Sequence, residues 1–219
     1  AAAHMHNKKP AEAFPALNES LKYNRSNWRV WVSKLYTCLD LQKLAAATQA
    51  SGVILDLTDE KPASAGGPIL EEKCVRAIVA GALRNFRESR DDAAAQDSSR
   101  RTLTRVRALL ERISATSQAK PWIFELIAAF YDQIGNDEKV VENLMKEYRL
   151  LQTSQGWEKD DFQVVKVCEL VTYTAQLHIR DGSRDSLNKA RFLLRGVVKK
   201  IRLARELDPK IPDEVVRAE

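Results

Sequence analysis

The chain is short of the groups that most enzymes use to move protons. Its 219 residues include three histidines, His4, His6 and His178, and two of these stand in the first six residues. Acid–base and nucleophilic schemes built on imidazole therefore lack their parts. The three cysteines, Cys38, Cys74 and Cys168, are odd in number and widely spaced. A zinc site needs clustered ligands and a disulfide framework needs dense cysteines, so the pattern reads as three buried free thiols in a reducing compartment. Eight glycines and seven prolines are too few for the many turns of an all-β chain. No long hydrophobic run is present: the most apolar stretch, Trp122 to Tyr131, is short and carries Glu125. Gly66-Gly67 is followed by no lysine and hydroxyl and preceded by no strand, which makes it a linker rather than a phosphate loop. Asp181-Gly182-Ser183 lacks the repeated acidic ligands of a calcium loop. The expectation is a non-enzymatic protein with no catalytic residues, no metal, no cofactor and no membrane span.

What is there is amphipathic. Hydrophobic residues make up 44% and charged residues 30% of the chain, and the formal net charge of +5 permits an acidic or nucleic-acid partner without requiring one. The most legible stretch is Pro121 to Leu151. Phe124, Ile127, Ala128, Tyr131 and Ile134 fall on one helical face. Gly135 then supplies a left-handed cap, and Asn136 and Asp137 offer N-cap oxygens to a second helix with the apolar face Val140, Val141, Leu144, Tyr148 and Leu151. An aromatic, a large and a small residue, a tyrosine, a glycine turn and a second apolar helix make the tetratricopeptide pattern, whose period is about 34 residues. One such hairpin cannot bury its apolar face alone. The fold expected is therefore all-α: tetratricopeptide-like helix hairpins stacked in a right-handed superhelix, with no β-sheet.

Residues 1–6, AAAHMH, read as a vector scar, 7–208 as one helical repeat domain and 209–219 as a tail. Ala13, Leu17 and Leu21 recur as in the second helix of a repeat whose first helix is absent, which points to a piece of a longer protein. In the next repeat Trp31, Leu35, Cys38 and Leu41 face inward, followed by Ala47, Ser51, Ile54 and Leu57, with Gln42 where most repeats turn on glycine. After the loop Asp59 to Pro68, Pro68 suits the first turn of a helix through Leu70, Cys74, Ala77, Ile78 and Gly81, where Gly81 marks close packing. A polar gap from Ser89 to Gln96 precedes a helix bearing Leu103, Val106, Leu110 and Ile113. Trp157 to Ile179 reads as a long helix with the seam Phe162, Val165, Cys168, Val171 and Ala175. The last helix, Ser183 to Leu207, carries Leu187, Ala190, Leu194, Val197, Ile201 and Ala204 toward it and stops at Asp208-Pro209. Boundaries are expected near Leu41, Leu57, Ala119, Gly135, Gly156 and Gly182.

Asn27-Trp28-Arg29-Val30-Trp31 with Asp40-Leu41, Cys74-Val75-Arg76-Ala77-Ile78-Val79, Trp122-Ile123-Phe124, Trp157-Glu158-Lys159-Asp160 and Leu193-Leu194-Arg195-Gly196-Val197 occur in that order. In this the chain resembles the C-terminal repeats of the tetratricopeptide repeat protein 27 family, from about Ala13 to Arg205. It departs from that family at Gln42 and at Leu44 to Ala47. The resemblance implies work inside the cell, cytoplasmic or nuclear, alongside chaperone assemblies or in the maturation of large complexes.

Two sets of residues are candidates for function. In this repeat class the first helix of each hairpin lines an inner groove, which nominates Arg29, Val32 and Tyr36 in one repeat and Trp122, Glu125 and Ala129 in another. Protein partners are expected there, because aromatic rings give contact area at low entropic cost. Val32 and Tyr36 stand where the clamp for the acidic tail of the ninety-kilodalton heat-shock chaperone needs Lys and Asn, so that tail is not the expected ligand. The other set is basic: Arg191, Arg195, Arg202 and Arg205 share a stripe with Lys189, Lys199 and Lys200 beside it, a solvated face or a contact for RNA or an acidic protein.

Overall fold

The structure is a computed structural model that describes residues 9–60, 66–89, 92–116, 120–153 and 160–207, the side chains of 161 and 204–207 excepted. Every regular element among the described residues is an α-helix: α1 (Pro10–Tyr23), α2 (Trp28–Asp40), α3 (Leu44–Glu60), α4 (Glu72–Glu88), α5 (Ala93–Ser114), α6 (Pro121–Gln133), α7 (Asp137–Thr153), α8 (Asp161–Asp181) and α9 (Arg184–Leu207). They group into two compact units, Ala1–Ala119 and Lys120–Glu219.

In the first unit α2 folds back on α3 and α4 on α5, while α2 meets α4 and α3 meets both α4 and α5. This is hairpin stacked on hairpin, with α1 packed on α2 as a preceding second helix. Most of the expected interior residues are buried: Ala13, Leu17 and Leu21; Trp31, Leu35 and Cys38; Ala47, Ser51 and Ile54; Leu103, Val106, Leu110 and Ile113; Leu41 and Leu57, at or near helix ends, are half-buried. Gln42 takes the left-handed conformation that glycine normally takes, at φ +54. The Lys43 N–H donates to the Cys38 carbonyl at 2.8 Å and the Gln42 N–H to that of Leu39 at 3.0 Å. Gly135, at φ +74, organises the same pair of bonds, from Asn136 to Tyr131 at 3.0 Å and from Gly135 to Asp132 at 3.1 Å. Gly81 does mark a close approach, since a Cβ there would stand 2.8 Å from Leu44 Cδ2.

Several local expectations of this unit are corrected. α3 runs on past Leu57 to Glu60. Pro68 is not in a first helical turn: α4 starts at Glu72 after an extended Glu71, so Leu70 lies outside it too. Pro68 is instead buried ahead of the helix, its carbonyl accepting from Thr58 Oγ1 at 3.1 Å, which anchors the returning chain to α3. Ala77 is exposed, because α4 turns Val75 and Val79 inward beside Cys74 and Ile78. The polar gap is shorter than expected, since Asp92 Oδ1 accepts from the N–H groups of Ala94 (2.9 Å) and Ala95 (3.2 Å) and starts α5 at Ala93.

In the second unit α6 packs on α7, α7 on α8 and α8 on α9. α6 is buried on most of its circumference, with Ile123, Leu126 and Phe130 added to the expected Phe124, Ile127, Ala128 and Tyr131. Ile134 lies in the turn and is exposed. The Asn136 carboxamide accepts from the Lys139 N–H at 3.0 Å, as the capping pattern requires. α7 buries Val140 and Leu144, leaves Val141, Tyr148 and Leu151 half-buried, and buries two residues not expected inside, Asn143 and Glu147.

The seam of α8 is a correction. Phe162 is 78% and Val165 43% exposed, and Cys168 is half-buried, so only two of the three thiols are fully inside. The buried side is Val164, Val167, Leu170, Val171, Thr174 and Ala175, of which Val164, Val167 and Val171 meet Val197 and Ile201 of α9. α8 has two apolar stripes, and contact with both α7 and α9 selects the wider valine-rich one. α8 begins at Asp161, capped by the Asp160 carboxylate. On α9, Ala190, Val197 and Ile201 are buried as expected, whereas Leu187 and Leu194 are exposed. The turns at Leu41, Gly135 and Gly182 fall where expected, Gly182 at φ +71. Ala119, Trp157, Gly156, Ala204 as a side chain, and the stop at Asp208-Pro209 lie outside the described residues.

Candidate functional site

The second unit builds its groove from the sides of α6 and α8 that the core does not use. Along α6 the outward stripe is Trp122, Glu125, Ala129 and Asp132; along α8 it is Phe162, Val165, Lys166, Glu169 and Tyr173. Lys166 Nζ sits 3.1 Å from Glu125 Oε2 and 3.1 Å from Glu147 Oε1, so one ammonium bridges a half-buried and a buried carboxylate. Two turns further on, the Tyr173 hydroxyl donates to Asp132 Oδ1 at 2.6 Å. Both bonds join residues 41 apart in sequence, so the hairpin offset here exceeds the expected period of about 34 residues. The reason is length: α7 alone has 17 residues and further residues separate it from α8.

Above these bonds lies an open groove of about 580 Å³, lined by Leu144, Leu170, Phe162 and Val165 with Glu125, Glu147, Lys166, Glu169 and Tyr173. Its electrostatics favour holding charge over transferring protons. Burial pulls the Lys166 ammonium down, but Glu147 and Glu125 outweigh it and leave it above the ordinary lysine range. The Asp132 hydrogen bond, then burial, pushes Tyr173 up to about 12. Neither side chain serves as a base near neutral pH. What the groove leaves exposed is the Phe162 ring, the Val165 side chain and the Glu169 carboxylate, the last without an ion pair among the described residues.

The nominated residues are distributed over both units. Glu125 lines the groove just described; Trp122 is half-buried one turn earlier on the same face, outside the lining. In the first unit Arg29 is exposed with its guanidinium 5.4 Å from the Trp28 ring centroid, and Val32 is half-buried. The Tyr36 hydroxyl donates to Glu71 Oε1 at 2.6 Å, while Lys73 Nζ lies 2.8 Å from Glu71 Oε2 and 5.4 Å from the Tyr36 ring centroid. Burial, then the Glu71 bond, pushes Tyr36 up to about 12. Tyr36 thus ties α2 to the start of α4, as Tyr173 ties α8 to α6. On α9, Arg191, Arg195 and Arg202 are exposed, and the Arg205 side chain lies outside the description. Lys189 pairs with Asp185 at 2.5 Å.

Sequence reasoning missed Lys166, Glu147, Phe162, Val165, Glu169 and Tyr173 as groove residues. A signal was present: Glu125 and Asp132 are seven apart on α6, as are Lys166 and Tyr173 on α8, two matched rungs across neighbouring first helices. Among the described residues no helix is long and apolar enough to cross a membrane, and no cluster of His, Cys, Asp and Glu has the makings of a metal site.

No protein-family model matches the chain. Over 181 residues it is 23% identical to the Tetratricopeptide repeat protein 27 homolog of Dictyostelium discoideum, a match covering 82% of this chain and 20% of that protein. The chain thus spans about a fifth of that relative's length. Stacked helix hairpins and this similarity together give the chain a tetratricopeptide-like helical repeat fold.

Proposed function

We propose that this chain is a non-enzymatic scaffold that holds protein partners in the groove between α6 and α8. The observation that carries the reading is the exposure of Phe162 and Val165 beside a side-chain frame already neutralised by internal pairs. Large apolar side chains at 78% and 43% exposure, rimmed by polar groups in a concave groove, fit a contact for another chain. The exposed Glu169 carboxylate, which makes no ion pair among the described residues, favours a segment carrying a basic residue beside its apolar ones.

The resemblance to the tetratricopeptide repeat protein 27 family supports a setting inside the cell, cytoplasmic or nuclear, among chaperone or complex-assembly machinery. The second reading, contact with RNA, draws on the exposed arginines of α9 alone. Affinity capture from lysate, with partners identified by their peptides, tests the scaffold reading. Trp122→Ala with Phe162→Ala should deplete the captured proteins by about tenfold, equivalent to about 1.4 kcal/mol. Arg29→Ala with Tyr36→Ala should weaken capture further if the first unit's inner face joins in. A captured set unchanged by Trp122→Ala with Phe162→Ala would sink the groove, whatever Arg29→Ala with Tyr36→Ala does.

A further inference from the structure

The α6–α8 groove is not uniform along its length. At one end stand the exposed Phe162 and Val165. The Lys166–Glu125 and Tyr173–Asp132 bonds then cross it, and each joins residues 41 apart. Carried across the interval between the two bonds, that offset sets Glu169 and Leu170 of α8 against Ala128 and Ala129 of α6. Ala128 and Leu170 are buried, so the interval is walled by the exposed Glu169 carboxylate on one side and the exposed Ala129 methyl on the other. α6, PWIFELIAAFYDQ, has no basic residue to offer that carboxylate.

We propose that the interval between the two bonds seats the lysine or arginine side chain of a partner segment whose apolar neighbour covers Phe162 and Val165; this rests on the reading of the groove as a protein-binding site. Val165 and Phe162 precede Glu169 by four and seven residues on one helix, about 6 and 10 Å along its axis, so one short segment reaches all three. The Ala129 methyl leaves the aliphatic stem of the incoming cation room to lie on α6. Charge excludes the rivals. The lining holds three carboxylates, Glu125, Glu147 and Glu169, against the one ammonium of Lys166, so it repels the phosphates of RNA and the carboxylates of an acidic tail. The chain as a whole is basic, at +5, so a preference for cations belongs to this groove and not to the overall field. A metal ion would find Glu169 alone, since Glu125 and Glu147 already hold Lys166 and hard cations take several oxygen ligands.

The test is a display selection on the whole chain from peptides that carry one Phe or Leu anchor, with every other position open to Lys, Gln or Glu. Peptides that use the groove are those whose binding Phe162→Ala removes, and among them Lys should be enriched near the anchor. A synthetic selectant should bind about tenfold tighter than the same peptide with Glu for Lys, and the gap should narrow as salt rises. Glu169→Gln should weaken the Lys peptide about threefold, as suits an exposed pair, and Glu169→Lys should reverse the preference, with Tm unchanged in both. Glu138→Gln, exposed on α7 outside the groove, should alter neither affinity, which separates a local pair from the general field. Peptides that depend on Phe162 but show no Lys enrichment, or a Lys preference that survives Glu169→Lys, would overturn the cation seat and leave the groove standing. If no selected peptide depends on Phe162, both fall. Self-association of the chain, detected by sedimentation and abolished by Glu169→Lys, would give the seat to a second copy and overturn the proposal as well.

Discussion

Gln42 and Gly135 close two hairpins with the same pair of hydrogen bonds, but only one of them has a Cβ. A side chain in the left-handed region costs about 1 kcal/mol, partly offset by the smaller entropy that Gln loses on folding. Gln42→Gly is therefore expected to stabilise the chain by about 0.5 kcal/mol, and Gly135→Ala to destabilise it by about 1 kcal/mol, in matched urea titrations. Nothing crowds Gly135, so that loss isolates the backbone. The Glu147–Lys166–Glu125 cluster is a second test at this scale. Lys166→Met leaves the Glu147 carboxylate, 1% exposed, without its ammonium and should cost about 2 kcal/mol or more. Adding Glu147→Met should recover most of that, since it removes the stranded charge. His178 supplies a pH signature. Burial, then Lys189, holds its imidazole below the ordinary value of about 6.5, so the folded state takes up its proton less readily than the unfolded chain. Stability is full above the unfolded value and is lost as pH falls through the folded one. Carboxylates titrate lower still, so His178→Leu should flatten the decline in Tm between about pH 7 and 5.

At the scale of the element, α6 and α8 show what the sequence can and cannot convey. α6 was legible because its apolar residues, a glycine turn and a capping asparagine agree with one another. Ala128, 3% exposed, sits where the pattern puts it, and Ala128→Arg should overpack the hairpin and strand a charge, lowering stability by roughly 3 kcal/mol. α8 was not legible in the same way. It has apolar residues at Phe162 and Val165 as well as at Val164 and Val167, and which stripe goes inside depends on α7 and α9. That is tertiary information, and the same ambiguity put Leu187 and Leu194 inward on α9. The groove was half legible for this reason: Glu125 followed from the α6 register, whereas Lys166 and Phe162 needed α8 turned the right way. Glu147 was hidden altogether, since a glutamate on an amphipathic helix reads as solvated until a lysine from the next hairpin arrives.

At the scale of the whole molecule, both units use the same two devices. A second helix packs on the next first helix, and a tyrosine–carboxylate bond of 2.6 Å ties one first helix to the next or to the residue that precedes it, Tyr173 to Asp132 on α6 and Tyr36 to Glu71 just ahead of α4. Residues spent on stacking this way are withdrawn from ligand contact, and Phe162, Val165 and Glu169 remain for it. Hydrogen–deuterium exchange on the chain, alone and bound to a protein recovered by affinity capture, tests that most directly. The inner sides of α6 and α8, from Trp122 to Asp132 and from Phe162 to Tyr173, should gain protection in the complex, and Phe162→Ala should abolish the gain. Protection confined to α9, or none on either helix in a complex that Phe162→Ala leaves intact, would contradict a scaffold that works through this groove.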